Sequence, residues 1–202
     1  MSETPSPHTA APIGQKAETC SLFWTADDAV DAVVDTNRKD GAVMIIDVPQ
    51  DKDPITYVWG EMVPGIGVAA STFAMKVYSD STLGLREFEA ARLRIAQING
   101  CVFCQDWRTE RDGTKVEDSF DQAVTEWRTT DAFDTRTRLA AEYAERYALD
   151  HHGLDDDFWK RMTAAYSQAE IVELSMCLGS WLAFGRLNRV LGIDTVCVLP
   201  NH

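Results

Sequence analysis

No stretch of the chain approaches the roughly 18 uninterrupted apolar residues that a membrane-spanning helix requires. Positive charge is scarce as well: 19 Lys and Arg stand against 32 Asp and Glu, a net charge of −13. The arginines nearest one another, Arg86, Arg92, Arg94, Arg108 and Arg111, are interleaved with carboxylates. Without a basic patch, the sequence argues against nucleic acid and against anionic membrane surfaces as partners. No glycine-rich phosphate loop and no ligand cluster is visible, so no bound metal, flavin or nucleotide is expected. Five cysteines (Cys20, Cys101, Cys104, Cys177, Cys197) are an odd number and too sparse for a disulfide scaffold. The opening residues lack the basic and apolar regions of a secretory signal, and the expected location is cytoplasmic. In a reducing compartment a close cysteine pair points to catalysis or metal binding ahead of structure.

What remains is helical patterning. Residues 1–18, rich in Ser, Thr, Pro and Ala, read as a disordered or loosely docked tail, and 19–202 as one α-helical domain. Thr25 with Asp28 resembles a capping box opening a helix over 22–37, and Ala42 to Pro49 is either a short strand or an extended connector. Pro54, Gly60, Pro64, Gly65 and Gly67 punctuate short helices or loop. Helices are expected from Ser71 to Tyr78, from Leu85 to Ile98 and from Cys101 to Arg111, with Asn99-Gly100 as the stop between the last two. Further helices are expected over Thr135–Ala148, from the acidic start Asp155-Asp156-Asp157, and over Ile171–Leu191. That last helix follows the capping box Ser167/Glu170. Helices joined by short turns make the fold class all-α, a helical bundle.

Cys101 and Cys104 are where residue types and spacing converge on a reaction. Two intervening residues allow a helix's first turn to bring the sulfurs into bonding range, and unpaired backbone N–H groups there favour thiolate. The pair reads as redox chemistry. Zinc would need two further ligands. His151 and His152 are adjacent and badly spaced for that, reading instead as surface residues, while Cys177 and Cys197 stand alone. A redox pair also needs a proton carrier. Glu89 lies twelve residues before Cys101, so a chain reversal at Asn99-Gly100 can turn it towards the sulfurs. Spacing by itself favours a surface Glu89 paired with Arg92 or Arg86. Trp107, Trp127, Trp159 and Trp181 read as core or subunit interface. Tyr57 and Trp59 could line an approach to the sulfurs, with core packing the better reading.

The run from Glu87 to Cys104, with Glu89 ahead of Asn99-Gly100-Cys101 and Cys104, resembles the signature of the carboxymuconolactone decarboxylase-like superfamily, in its alkylhydroperoxidase D-like branch. The stretch from Ser167 through Glu170 and Glu173 to Phe184, Arg186, Asn188 and Gly192 resembles the closing helix of that family, and the likeness covers about residues 65–195. It implies an all-α bundle assembled as a homo-oligomer, trimer or hexamer. It further implies a Cys pair that cycles between dithiol and disulfide while reducing a small hydroperoxide, recharged by an external dithiol or redox-protein reductant. By the same likeness Cys104 attacks, Cys101 resolves and Glu89 belongs to the proton relay. The family's relay histidine sits four residues after the second cysteine, and here that position is Arg108. Arginine is no base at neutral pH, but its fixed charge can hold a thiolate or anchor a carboxylate. The expected function is therefore a thiol-dependent peroxidase or disulfide reductase. The alternatives are a lyase of the carboxymuconolactone decarboxylase type using Arg108 with Glu89, or a non-enzymatic redox-sensing oligomer.

Overall fold

The computed structural model describes residues 45–194. The expected tail and the expected helix over 22–37 lie outside them. The described end of the Ala42–Pro49 run forms no strand, and it connects irregularly to the rest. A π-helical segment, Thr56–Met62, leads into α1 (Pro64–Ser79) and α2 (Leu85–Asn99). Then come α3 (Val102–Asp106), α4 (Phe120–Thr125), α5 (Thr135–Leu149), α6 (Asp156–Ala165) and α7 (Gln168–Leu191). Among the described residues extended pairing is limited to an isolated bridge between Arg111 and Thr114, so this region is all-α.

The helix boundaries follow local chemistry. Asp134 and Asp155 accept the amides of Thr137 and Phe158 at 2.7 and 2.8 Å, capping α5 and α6. Ser167 and Glu170 form the reciprocal box that opens α7. The Ser167 amide and Arg136 hold the Glu170 carboxyl down at about 2. Gly100 and Gly192 end α2 and α7 in the left-handed conformation, at φ 67° and 71°.

Two expectations are corrected here. The Pro64-Gly65-x-Gly67 run, read as punctuation, is the first turn of α1: Pro64 takes the helical position where a missing N–H costs nothing. Gly67 is demanded by packing, since a Cβ there would stand 1.7 Å from the Trp59 carbonyl oxygen of the π segment. The helix expected over Cys101–Arg111 stops at Asp106, because Trp107 turns extended (φ −75°, ψ 145°). The stretch between α3 and α5, where no helix was expected, contains α4, whose Phe120 and Val124 are fully buried.

α2 is the axis of the fold and packs chiefly on α5 and α7. Phe88, Ala91 and Ile95 face one apolar cluster with Leu139, Phe158, Met162, Leu174 and Trp181. Ala90 and Leu93 face a second with Phe120, Val124, Trp127 and Phe133. Apolar surface therefore covers α2 on two sides. Charged residues in its middle have little access to water and must satisfy one another.

Candidate functional site

The site is the junction of α2 and α3. Gly100 reverses the chain: its amide and that of Cys101 bond back to the Gln97 and Ala96 carbonyls at 3.1 Å. Cys101 then caps α3, and its sulfur accepts the Cys104 amide at 3.3 Å. The two cysteines are joined as a disulfide across a Cα separation of 5.3 Å. Their exposure differs. Cys101 is 2% exposed and Cys104 half-buried, so a reactant from solvent meets Cys104 first. With only five residues in α3, the helix dipole adds less than a helix running to Arg111 would have.

Glu89 and Arg92 lie beneath this turn. Glu89 is 0% and Arg92 3% exposed, so the surface pairing favoured by spacing is instead a buried one. The Arg92 fork is fully used. Nε and Nη2 donate to the two Glu89 carboxylate oxygens at 2.6 and 2.9 Å, Nη1 donates to the Cys104 carbonyl at 2.6 Å, and Nη2 also donates to the Trp107 carbonyl at 2.6 Å. Thr109, itself buried, donates its hydroxyl to Glu89 at 2.5 Å. This clamp gives the physical reason for the short α3. Two carbonyls of the would-be helix are drawn to one guanidinium, and Thr109 is pulled back onto Glu89. A single residue, Arg92, thus links the carboxylate to the main chain of Cys104.

Arg108 consequently does not sit one helical turn beyond Cys104. Its guanidinium donates to the Gln105 carbonyl and, at 3.1 Å, to the Trp107 carbonyl, and pairs with Asp121 at 3.8 Å. Glu89 and Arg108 have separate partners. Arg86 pairs with Glu117 on the surface. His151 and His152 form an exposed 3₁₀ turn between α5 and α6, their rings 4.0 Å apart. Trp59 donates to Asn188 at 3.1 Å and packs on Phe184 in a third cluster with Tyr57, which places both residues in core packing. Cys177 is buried on α7, and burial pushes its thiol up to about 12. Among the described residues no group of three or more His, Cys, Asp or Glu could hold a metal ion.

Sequence reading undervalued Arg92. The signal was present: Glu89 and Arg92 are three apart on a helix whose neighbours Phe88, Ala90, Ala91 and Leu93 are apolar on every side, which leaves such a pair no wet face.

No helix of the described residues is long and apolar enough to cross a membrane. No known family model matches the chain. It is 30% identical over 111 residues to YnjA, an uncharacterized protein of Escherichia coli, covering 54% of this chain and 61% of that protein. The chain thus spans about three fifths of that relative's length. YdfG, an uncharacterized protein of Bacillus subtilis, is 22% identical over 120 residues, 58% of this chain and 81% of that one. Among solved structures it is similar to ATU0492 of Agrobacterium tumefaciens, a protein of unknown function proposed to be the antioxidant defence protein AhpD. The TM-score is 0.59 at 22% identity, over 75% of this chain and 100% of that chain. At that identity the likeness is one of architecture: the chain has an AhpD-like helical fold.

Proposed function

We propose that the protein is a thiol-dependent hydroperoxidase of the alkylhydroperoxidase D-like branch, working through a Cys101–Cys104 dithiol–disulfide cycle. The observation that carries this is the bonded pair on a helix start, one sulfur buried and the other half-exposed. The AhpD-like fold supports it, as does the antioxidant defence role proposed for ATU0492.

The cycle balances as follows. An external dithiol attacks the accessible Cys104 sulfur, forming a mixed disulfide and releasing Cys101 as thiolate, which the Cys104 amide steadies. The second thiol of the reductant frees Cys104 and departs as its own disulfide. Cys104 thiolate then attacks the hydroperoxide: an S–O bond forms, the O–O bond breaks, and the alcohol leaves after taking up one proton. The Cys104 sulfenic acid is resolved by the Cys101 thiol, which expels water and restores the disulfide. The net reaction converts hydroperoxide and dithiol into alcohol, water and a disulfide. The Glu89 carboxylate is joined through the Arg92 guanidinium to the main-chain carbonyl of Cys104, so it fixes the segment that carries the sulfur. The lyase alternative asks Arg108 and Glu89 to act together, and their separate partners lend it no support.

Thiol titration tests the assignment. On adding hydroperoxide to the reduced protein, two thiols should disappear together, and an added dithiol should sustain turnover. Loss of one thiol, or of none, would sink the proposal. Position 108 carries a second expectation. Because it has left the helix, Arg108→His should leave peroxide turnover within about two-fold, since a general base must be within reach of its proton; a marked gain would show that an imidazole there does reach the sulfurs.

We further infer that the chain self-associates. Ile66, Val68 and Phe73 of α1 and Val172, Met176, Leu187 and Val190 of α7 are exposed at 41–77%. A monomer seldom leaves so much apolar surface open along two helices. Sedimentation velocity should show a trimer or hexamer; a monomer at micromolar concentration would refute this.

A further inference from the structure

We propose that α7 pairs with α7 of a second copy of this chain, antiparallel across a two-fold axis that passes midway between Gly179 and Ala183. The inference rests on the self-association argued above and names its contact and register.

The starting observation is that α7 is apolar on two faces. Leu174, Cys177, Leu178 and Trp181 point inward and are buried. On the outer side Val172, Met176 and Val190 are exposed at 56%, 59% and 67%. A helix that is apolar all round is built to be covered all round, and the packing described above covers one side. The outer residues are in register. Val172, Met176, Gly179, Ala183, Arg186 and Val190 follow one another at alternating intervals of four and three. That spacing keeps them on a single face over about 27 Å of helix. A groove of about 480 Å³, lined by Tyr147, Leu182 and Leu187 with Gly179 and Ala183, lies on this face.

Gly179 asks for a partner. Glycine inside a helix weakens it, so a mid-helix glycine needs a reason. At Gly185 the reason is within the chain: a Cβ there would stand 2.8 Å from the Asn99 Nδ2. At Gly179 the nearest atom, the Tyr147 hydroxyl, would be 3.4 Å away, an ordinary contact. What needs the space at Gly179 therefore comes from outside, and a second helix crossing there can approach closely.

The stripe reads the same in both directions. Val172 and Val190, Met176 and Arg186, and Gly179 and Ala183 are each equidistant from one midpoint. Two copies laid antiparallel set every member against its counterpart, the smallest pair at the crossing and the larger ones outward. A two-fold contact requires this self-complementarity, and a foreign partner does not. Charge fixes the direction. Arg186 is the only charged member, and its Nε donates to the Asn99 side chain at 3.3 Å, leaving the stem along the face. Antiparallel pairing holds the two Arg186 residues about 15 Å apart along the helix, whereas parallel pairing would set them face to face. The chain as a whole carries a net charge of −13, so a stripe without carboxylates is where two copies meet with least repulsion. Of the two assemblies expected above, only the hexamer contains two-fold axes, and α7 pairing is what joins its trimers.

Met176→Arg sets a guanidinium against Arg186 of the second copy at both ends of the contact. Sedimentation velocity of the full chain at micromolar concentration should show a hexamer for the wild type and a trimer for Met176→Arg, with the dissociation constant between trimers raised roughly a hundred-fold or more. Met176→Glu meets the same guanidinium with a carboxylate and should stay hexameric. Combining Met176→Arg with Arg186→Met exchanges the two positions and should restore the hexamer, a result that only the antiparallel register gives. Should Met176→Arg fail to fold by circular dichroism, Ala183→Glu, which buries a charge at the crossing, decides in its place. A wild-type trimer, a hexamer that Met176→Arg leaves intact, or a Met176→Glu protein that dissociates as readily overturns the α7 pairing and leaves self-association standing. A wild-type dimer that Met176→Arg makes monomeric upholds the pairing. A monomeric wild type overturns both, the stripe then being covered by another part of this chain or by a foreign partner.

Discussion

Replacing Cys104 by serine should lower hydroperoxide turnover by roughly a thousand-fold or more, because it removes the group that forms the S–O bond. Cys101→Ser should behave differently. Its Cys104 can still attack, so one equivalent of hydroperoxide is consumed and one thiol is lost. The sulfenic acid then lacks its neighbour, and a dithiol from solution must resolve it in a bimolecular step. Holding the resolving thiol on the same helix start replaces that encounter with an intramolecular one, so steady-state turnover should fall by about ten- to a hundred-fold. A sulfenic-acid trap should label the Cys101→Ser protein at Cys104 and leave Cys104→Ser unlabelled. The asymmetry follows from burial: Cys101 is 2% exposed and Cys104 half-buried. Equal behaviour of the two variants, or turnover surviving in Cys104→Ser, would refute the assigned order.

The second large effect belongs to Arg92. Arg92→Ala leaves the Glu89 carboxylate inside the fold with the Thr109 hydroxyl still donating to it, takes the guanidinium from the Cys104 carbonyl and leaves the Trp107 carbonyl to Arg108. Breaking a buried ion pair from one side costs about 3–5 kcal/mol. For a chain of this length each kcal/mol corresponds to about 2–4 °C, so the melting temperature should fall by roughly 10 °C. The loss should be local as well as global. Amides from Cys104 to Thr109 should exchange faster than those of α5 and α7, because the clamp is what ends α3 and docks the following strand-like segment. Arg92→Lys should recover only part of the stability, since an ammonium cannot span two carboxylate oxygens and two carbonyls as the planar fork does. Adding Glu89→Gln to Arg92→Ala should also restore some stability by removing the unpaired charge. If Arg92→Ala melted within 2 °C of the wild type, the pair would not be the keystone described above.

Much of this arrangement was legible before any coordinates. The all-α class, the turn at Asn99-Gly100, the Ser167/Glu170 box and the end of α7 at Gly192 are local signals. Each depends on residues within one or two turns of each other, and the chain obeys them. So does the proximity of Cys101 and Cys104, which a three-residue separation makes possible in any helix start. Of the four tryptophans read as core or subunit interface, Trp127 and Trp181 belong to the apolar clusters, Trp159 packs half-buried against one of them, and Trp107 is half-buried beside Arg92.

Other features were decided by neighbours far away in sequence. Position 67 must be glycine because the Trp59 carbonyl lies where a Cβ would go, and no local pattern distinguishes that from a loop glycine. α3 ends at Asp106 because Arg92, on another helix, draws its carbonyls away. Arg108 thereby loses the helical register that spacing had given it and turns to Gln105, Trp107 and Asp121. Glu89 and Arg92 read as a surface pair until α2 is seen between two apolar clusters. Spacing fixes which side chains can meet along a helix, whereas burial, and with it the strength of their interaction, depends on what the rest of the chain packs around them.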